Sequence, residues 1–522
     1  MSDVGHAMGL GGLGSARLFI VGEAGGGGSR LRHHTGNKPK CLVSIDGKPS
    51  LCHLFEKFPN AEFVIIGDYL VEQIENYLIV NPPNVNYRII NASGKGTCSG
   101  IAEALRVIPV GSSLLLVWGD LIVDRLPDWP GQSCPVLCIT SSFVCRWTVT
   151  QSGNLQEVAG KERGVPGLFY FPNVNMLKGG VPEEGEFLRW FNHEFSDFLI
   201  LDCPDIKELG DFSSVEKSND REGFCRFFNK IEFCDGLVTK TVVDHAFDHV
   251  HDMEVAWYIE AQSLGFSRIP KIYSQKPLIM ERVRGKHPHQ MLDLSERERR
   301  AVLADMVEAL SDLHSRAEND FHINDVHNVY ITKTIDRVLS VSKFIPHFYA
   351  DIITINGVKC RNVFLDKHRS FFDDISQNLL PEKFTPIHGD PTFSNTLIND
   401  NLKACFIDPR GYFSKPGIFG DPWYDFSKVY YSAVGGYDAF NRRKFKLYID
   451  NETVEIMMEK SAFDGSARDV FCEYFRNEMS KIGVIHGLIW LALSGYVKDD
   501  IDSILAAYYI GLYWLELGVE KL

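Results

Sequence analysis

No long hydrophobic run occurs in this sequence. Its longest apolar stretches, at 114–118 and 484–493, fall short of the roughly 18 residues a membrane helix needs, and His486 interrupts the second, so no membrane span is expected. Basic residues are outnumbered, 54 against 68, for a net charge of −14, and no block of like charge appears, which argues against nucleic acid as a partner. The 12 cysteines include no C-x-x-C pair, and Cys134 with Cys138 has no nearby histidine to complete a zinc-like set. Buried free thiols in a reducing cytoplasm are the expectation. Residues 1–15 show neither the charged nor the apolar region of a secretory leader and read as a flexible tail. A P-loop is excluded as well, because no glycine cluster leads into Gly-Lys-Ser/Thr; GKP at 47–49 and GKG at 94–96 both fail.

What is present is an ordinary globular balance, 45% hydrophobic and 23% charged over 522 residues, which implies more than one domain of the usual ~100–200 residues. From 16 to about 201, short β-rich runs at 17–22, 62–66, 87–90, 113–118, 136–140 and 167–171 alternate with helical segments. That alternation predicts a mostly parallel sheet covered by helices. A polar stretch at 205–224 suits a linker, dividing the chain into a tail (1–15), a first domain (16–220) and a second (221–522). The second domain reads as α+β: β-like runs around 225–243, a helix carrying Glu254, an extended stretch at 277–283, then mainly helical periodicity from Ser295 onward.

Two constellations carry chemistry. GLGGLG at 9–14 formally fits G-x-G-x-x-G, but no strand precedes it. The glycines at 25–28 are better placed, since the run at 18–22 leads into them and small residues let backbone N–H groups approach phosphate oxygens. Arg30, Lys38 and Lys40 follow as cations, a setting that suits a triphosphate. The order from Ala24 through Gly26, Gly27, Gly28, Ser29, Arg30 and Thr35 to Pro39, Lys40 and Leu42 resembles the signature of the sugar-phosphate nucleotidyltransferases. The resemblance covers about 17–209 and implies an α/β, Rossmann-like N-terminal domain. It implies that Arg30 and Lys40 act on the triphosphate, that Gly96 and Thr97 of GKGTCSGIAEAL lie beside the nucleobase, and that Lys161 holds the substrate phosphate. It further implies that Asp120 of VWGD and Asp202 of LDCPD hold Mg²⁺. Two anionic reactants need such a cation between them.

In the second constellation, HGDPTFSNTLI (388–398) and FIDPRG (406–411) set an aspartate, an asparagine five residues on, and another aspartate in a loop–strand context. One carboxylate takes the substrate hydroxyl's proton while the asparagine and second carboxylate hold Mg²⁺ on the nucleotide. The pattern resembles the aminoglycoside phosphotransferase and choline kinase superfamily. That implies a bilobal, protein-kinase-like C-terminal domain with Asp390 as base and Asn395 and Asp408 as metal ligands. Lys240 paired with Glu254 would hold the α/β-phosphates, and Met280, Glu281 and Val283 would form the hinge beside adenine. His388, Asp421 and Asp425 are assigned to bracing. The aromatics Trp423, Tyr424, Tyr430, Tyr431, Trp490, Tyr496, Tyr508, Tyr509 and Trp514 offer material for a cage around a quaternary amine, although their helical spacing favours core packing.

Together the halves imply a bifunctional enzyme. One domain phosphorylates a sugar or small alcohol with ATP, and the other activates the product with CTP or UTP for surface polysaccharide or glycoconjugate synthesis, using Mg²⁺. A choline kinase with phosphocholine cytidylyltransferase is the alternative enzyme, and a nucleotide sensor with one inactive domain is the alternative from another class. A homo-oligomer is left open.

Overall fold

The computed structural model describes residues 17–24, 31, 35–45, 47–92, 94–125, 133–209, 229–368, 370–450 and 453–519. The chain forms two compact units, Met1–Asn219 with Lys498–Asp502, and Asp220–Val497 with Ser503–Leu522. Among the described residues no helix is long and apolar enough to cross a membrane. The described cysteines are free thiols, most of them buried.

The first unit runs β1 (Leu18–Glu23), α1 (Ser50–Lys57), β2 (Glu62–Gly67), α2 (Val71–Val80), β3 (Asn86–Asn91), α3 (Thr97–Val107), β4 (Ser113–Trp118), β5 (Leu121–Val123), β6 (Val136–Ile139), β7 (Leu168–Phe171), α4 (Phe187–Glu194), β8 (Leu199–Asp202) and β9 (Ile206–Glu208). Seven of these strands form one sheet in the order β8-β6-β7-β4-β1-β2-β3. Only β7 runs antiparallel to its neighbours. The sequence dictates position in this sheet. SLLLVW in β4 is apolar from Leu114 on because both faces are covered, whereas NYRIIN in β3 is half exposed and lies at the edge. Phe169, Phe171, Phe187 and Phe191 close the core on one face. The α/β, Rossmann-like expectation holds.

The second unit opens with a four-stranded antiparallel sheet, β10 (Asn229–Cys234), β11 (Leu237–Val242), β12 (Ile272–Gln275) and β13 (Leu278–Glu281), in the order β10-β11-β13-β12. Helix α5 (Asp248–Ser263) is inserted between β11 and β12. A helical lobe follows, with α6 (Glu296–His314), α7 (Lys333–Val341), α8 (Pro422–Ala433), α9 (Met479–Ser494) and α10 (Ile501–Val519). Ser295 caps α6 with a capping box to Glu298, as its S-x-x-E spacing requires. This is the expected bilobal, kinase-like arrangement.

Helix predominates from Ser295 onward, as expected, but strands occur there as well. Strands β14 (Ile352–Ile355), β15 (Val358–Arg361), β18 (Phe445–Ile449) and β19 (Thr453–Met458) form a second four-stranded sheet. A further hairpin, β16 (Thr396–Ile398) with β17 (Ala404–Phe406), lies between them in sequence. The turn Asn356-Gly357, both residues at positive φ, is the chemistry a tight hairpin demands between β-branched runs.

Candidate active sites

In the first unit, Gly26, Gly27, Gly28, Ser29 and Arg30 lie outside the described residues. The site is built around the carboxyl end of the sheet. Strand β4 ends at Trp118, and Gly119 passes so close to Glu23 that a Cβ there would meet its carbonyl oxygen at 2.5 Å. The turn delivers Asp120, whose carboxylate forms an ion pair with Lys40. Two residues singled out in sequence thus meet. Lys38 does not join them; it is buried, 2.7 Å from both Asp500 and Asp502, in a segment that belongs with this unit.

Gly96 has φ +86°, and a Cβ on it would meet the Gly185 carbonyl at 2.4 Å, so glycine is required where the loop enters α3. The Thr97 hydroxyl accepts from Phe187 N at 2.8 Å. Lys161 is exposed, next to Gly160, which bridges to Cys145. Burial pushes the Cys145 thiol up to about 12, with Glu208 and Asp120 adding to it, so both carboxylates lie near this bridge.

The structure does not bring Asp202 to Asp120. Asp202 pairs with Ile139 on β6, and β7 separates β6 from β4, so three strand spacings, about 14 Å, intervene. The chain instead returns through β9, which pairs with β5. Glu208 stands opposite Leu121, and Leu209 N donates to the Asp120 carbonyl at 2.8 Å. Glu208 is the carboxylate-bearing residue whose strand is set next to Asp120. Sequence reasoning also passed over Glu23, the last residue of β1. Burial pushes its carboxyl up to about 8; a 3.0 Å bond from Trp118 Nε1 works against this, while Asp120 and Glu186 reinforce it. A carboxylate two residues before the glycine run was the available signal.

In the second unit the predicted residues converge. Lys240 on β11 is buried 2.6 Å from Glu254 on α5 and 2.5 Å from Asp408 Oδ1. Burial alone would depress its ammonium, but the two carboxylates overcome this and hold it raised. Asp408 follows β17 in the left-handed region, φ +55°, with its N–H on the Tyr258 hydroxyl at 3.0 Å. Asn395 precedes β16, and Ile407 N donates to its carbonyl at 2.9 Å, so the β16–β17 hairpin sets Asn395 and Asp408 side by side. Asn395 Nδ2 donates to Asp390 Oδ2 at 3.1 Å. Met280 and Glu281 end β13, and Val283 lies in the extended stretch beyond it.

Bracing is as expected. Asp425 on α8 is fully buried and accepts from the N–H groups of His388 and Gly389 at 2.8 and 2.7 Å. His388 Nε2 contacts the Ile407 carbonyl at 3.1 Å, and burial lowers its imidazole below the ordinary value despite Asp425, so it braces as a neutral ring. Asp421 caps α8 through Trp423 N at 3.0 Å. Among the described residues no three His, Cys, Asp or Glu side chains group as a metal site. Mg²⁺ characteristically takes one or two carboxylates plus substrate phosphates, so the pairs present fit it.

Comparisons with known proteins agree with this division. Residues 251–455 match the phosphotransferase enzyme family. The N-acetylmuramate α-1-phosphate uridylyltransferase of Neisseria meningitidis serogroup B is 36% identical over 108 residues, 19% of this chain and 46% of that protein, so the chain spans less than half of this relative's length. Among solved structures, HddC from Yersinia pseudotuberculosis is similar at 19% identity, covering 38% of this chain and 97% of that one, with a TM-score of 0.33. The inositol-1-phosphate CTP transferase of T. maritima is similar at 15% identity, covering 40% and 98%, with a TM-score of 0.31. By sequence, then, the N-terminal region matches a nucleotidyltransferase in part and residues 251–455 match the phosphotransferase enzyme family.

Proposed function

We propose that the second unit phosphorylates a sugar or small alcohol with ATP, and that the first transfers a nucleotidyl group from CTP or UTP to the phosphomonoester. The observation that carries this reading is the convergence of Asp390, Asn395, Asp408, Lys240 and Glu254 in one unit and of Lys40 with Asp120 in the other. A nucleotide sensor with a lapsed site has no need to keep these groups together.

In the kinase step the acceptor hydroxyl oxygen attacks the γ-phosphorus and its proton passes to Asp390. The bond from γ-phosphorus to the β,γ-bridging oxygen breaks, and its electron pair leaves with ADP. Lys240, held by Glu254, positions the nucleotide phosphates. In the second step a phosphomonoester oxygen attacks the α-phosphorus of the nucleoside triphosphate, and pyrophosphate departs with the α,β-bridging oxygen. Lys40 stabilises the charge on the phosphates, and Lys161 holds the attacking phosphate. Asn395 with Asp408, and Asp120 with Glu208, offer all-oxygen donor sets for Mg²⁺, which when bound offsets the charge of the phosphates. An NDP-activated building block for polysaccharide or glycoconjugate assembly is the resulting product.

The test is incubation of the purified chain with ATP, CTP, UTP and a panel of sugars and amino alcohols, read by mass spectrometry. A phosphorylated acceptor followed by its nucleotide adduct is expected. Neither species forming would contradict the reading.

A further inference from the structure

Beside Asp390 the second unit gathers positive charge that the kinase chemistry so far described does not use. Lys333 Nζ, Arg410 Cζ and Lys428 Nζ lie 5.9, 5.8 and 6.0 Å from the centre of the Tyr424 ring. Arg337, one helical turn beyond Lys333 on α7, packs on Tyr496 and donates to the Ala492 carbonyl at 3.3 Å. Three different elements therefore turn four cations toward one another. Tyr424, Lys428 and Tyr431 share a face of α8 by their i, i+4, i+7 spacing.

Their partners are mostly neutral. Lys428 alone is ion-paired to a carboxylate, Asp390 Oδ1 at 2.9 Å. Arg410 donates to the phenol oxygens of Tyr424 and Tyr412 at 2.8 and 2.9 Å. Among the described residues no carboxylate forms an ion pair with Lys333, Arg337 or Arg410. The carboxylates on the adjoining face of α8, Asp421 and Asp425, are committed to Tyr330 and the backbone N–H groups already described. Burial, with repulsion from Arg410, Arg337 and Lys428, pushes the Lys333 ammonium well below the ordinary lysine value. Stacking on tyrosine rings attracts a cation weakly and leaves its charge in place. Four basic side chains against one carboxylate leave an excess of basic groups beside the group proposed as catalytic base, and all four side chains remain partly open to solvent. A π-helical turn, Asn328–Thr332, leads directly into Lys333, a local irregularity common at functional sites.

We infer that this cluster is an anion subsite for the phosphoryl acceptor, so that the alcohol phosphorylated carries a carboxylate or comparable anionic group besides its reacting hydroxyl. This rests on the kinase reading and narrows its substrate class. Lys333 and Arg337 lie against Tyr424 and Tyr496, whereas Lys240, Glu254 and Asp408 hold one another, so the cluster bears on the acceptor rather than on the nucleotide. It also disfavours choline. The ring of Tyr431, one of the cage aromatics, and the Tyr437 ring stacked on it already face Lys428 Nζ, at 4.9 and 5.9 Å, and a quaternary amine would add a further cation.

The test uses matched acceptors with ATP on the full chain: N-acetylglucosamine against N-acetylmuramate, glucose against glucuronate, and choline. Each is read by ADP release and, without ATP, by calorimetric binding. At least one carboxylated sugar is expected to exceed its neutral counterpart by ~10-fold or more in kcat/KM and in affinity, the size of one charge-assisted contact. Lys333→Gln and Arg337→Gln should each raise the KM for that acceptor by ~10-fold while the KM for ATP moves less than ~2-fold, and Lys333→Arg should restore most of the loss. Neutral sugars or choline preferred, no binding preference for any carboxylated sugar, or an acceptor KM indifferent to both substitutions would overturn the inference. Carboxylated sugars that bind in this way without any phosphorylation would keep the subsite and reject the kinase reading instead.

Discussion

Lys428 Nζ lies 2.9 Å from Asp390 Oδ1, while Asn395 Nδ2 holds the other carboxylate oxygen at 3.1 Å. The lysine's own burial would lower its ammonium, but Asp390 overrides this and keeps it raised and charged. A carboxylate gripped from both sides is oriented for a proton that arrives from the acceptor. Asp390→Asn should therefore cut ATP-dependent phosphorylation by ~10³-fold and leave pyrophosphate release from a supplied phosphomonoester intact. Asp120→Ala should do the reverse. Paired assays of ADP and pyrophosphate check this, and loss of both activities in either variant would contradict separate sites.

The sheet order separates two candidate carboxylates. Glu208→Gln should abolish nucleotidyl transfer, because β9 carries that residue to Asp120, whereas Asp202→Asn should retain it within ~3-fold. Pyrophosphate release with each variant decides the matter. The opposite ranking would restore Asp202 as the second ligand.

Asp425 is fully buried and satisfies two catalytic-loop N–H groups while facing His314 Nε2 at 3.1 Å. Removing it strands those donors without water, at a cost of about 3 kcal/mol. Asp425→Ala should lower the denaturation midpoint accordingly and abolish phosphorylation, as a chemical unfolding curve beside a kinase assay will show.

Acid should weaken the second unit. Burial lowers His388 and His287, holds His289 down at about 4 and His486 at about 3, all from an ordinary 6.5. Between 6.5 and those values the unfolded chain binds protons that the folded chain refuses, so stability is full above 6.5 and declines as pH falls. Asp438, raised by burial to about 6, and Asp421, also raised by burial, work with the opposite sign above 3.8, two groups against four. The calorimetric transition that ATP shifts upward should fall by more than ~5 °C from pH 6.5 to 4.5. A flat profile would mean these rings are solvated.

What could be read in the sequence was local. The strands of the first unit announce themselves because covered strands are continuous apolar runs, and Asp390 with Asn395 is legible because a single loop holds both. Glu208 was missed because β9 has three residues and its meaning comes only from pairing with β5. Nothing in the spacing of Lys333 and Lys428 shows that α7 and α8 turn both toward Tyr424, or that Arg337 joins them from Tyr496. Lys38 looked like a nucleotide contact and is occupied by aspartates more than 460 residues away. The β14–β15 hairpin carried its signal in Asn356-Gly357, outweighed by the helical periodicity around it.

The central claim, two consecutive transfers on one chain, is tested most directly by following one phosphorus atom. The full chain is incubated with γ-³²P-ATP, unlabelled CTP and UTP, and the acceptor series above. The label should pass from ATP into the acceptor monophosphate and then into the acceptor-proximal phosphate of the nucleotide-linked product, while pyrophosphate stays unlabelled. Label in pyrophosphate, or label that halts at the monophosphate while unlabelled nucleotide adduct accumulates, would contradict the account.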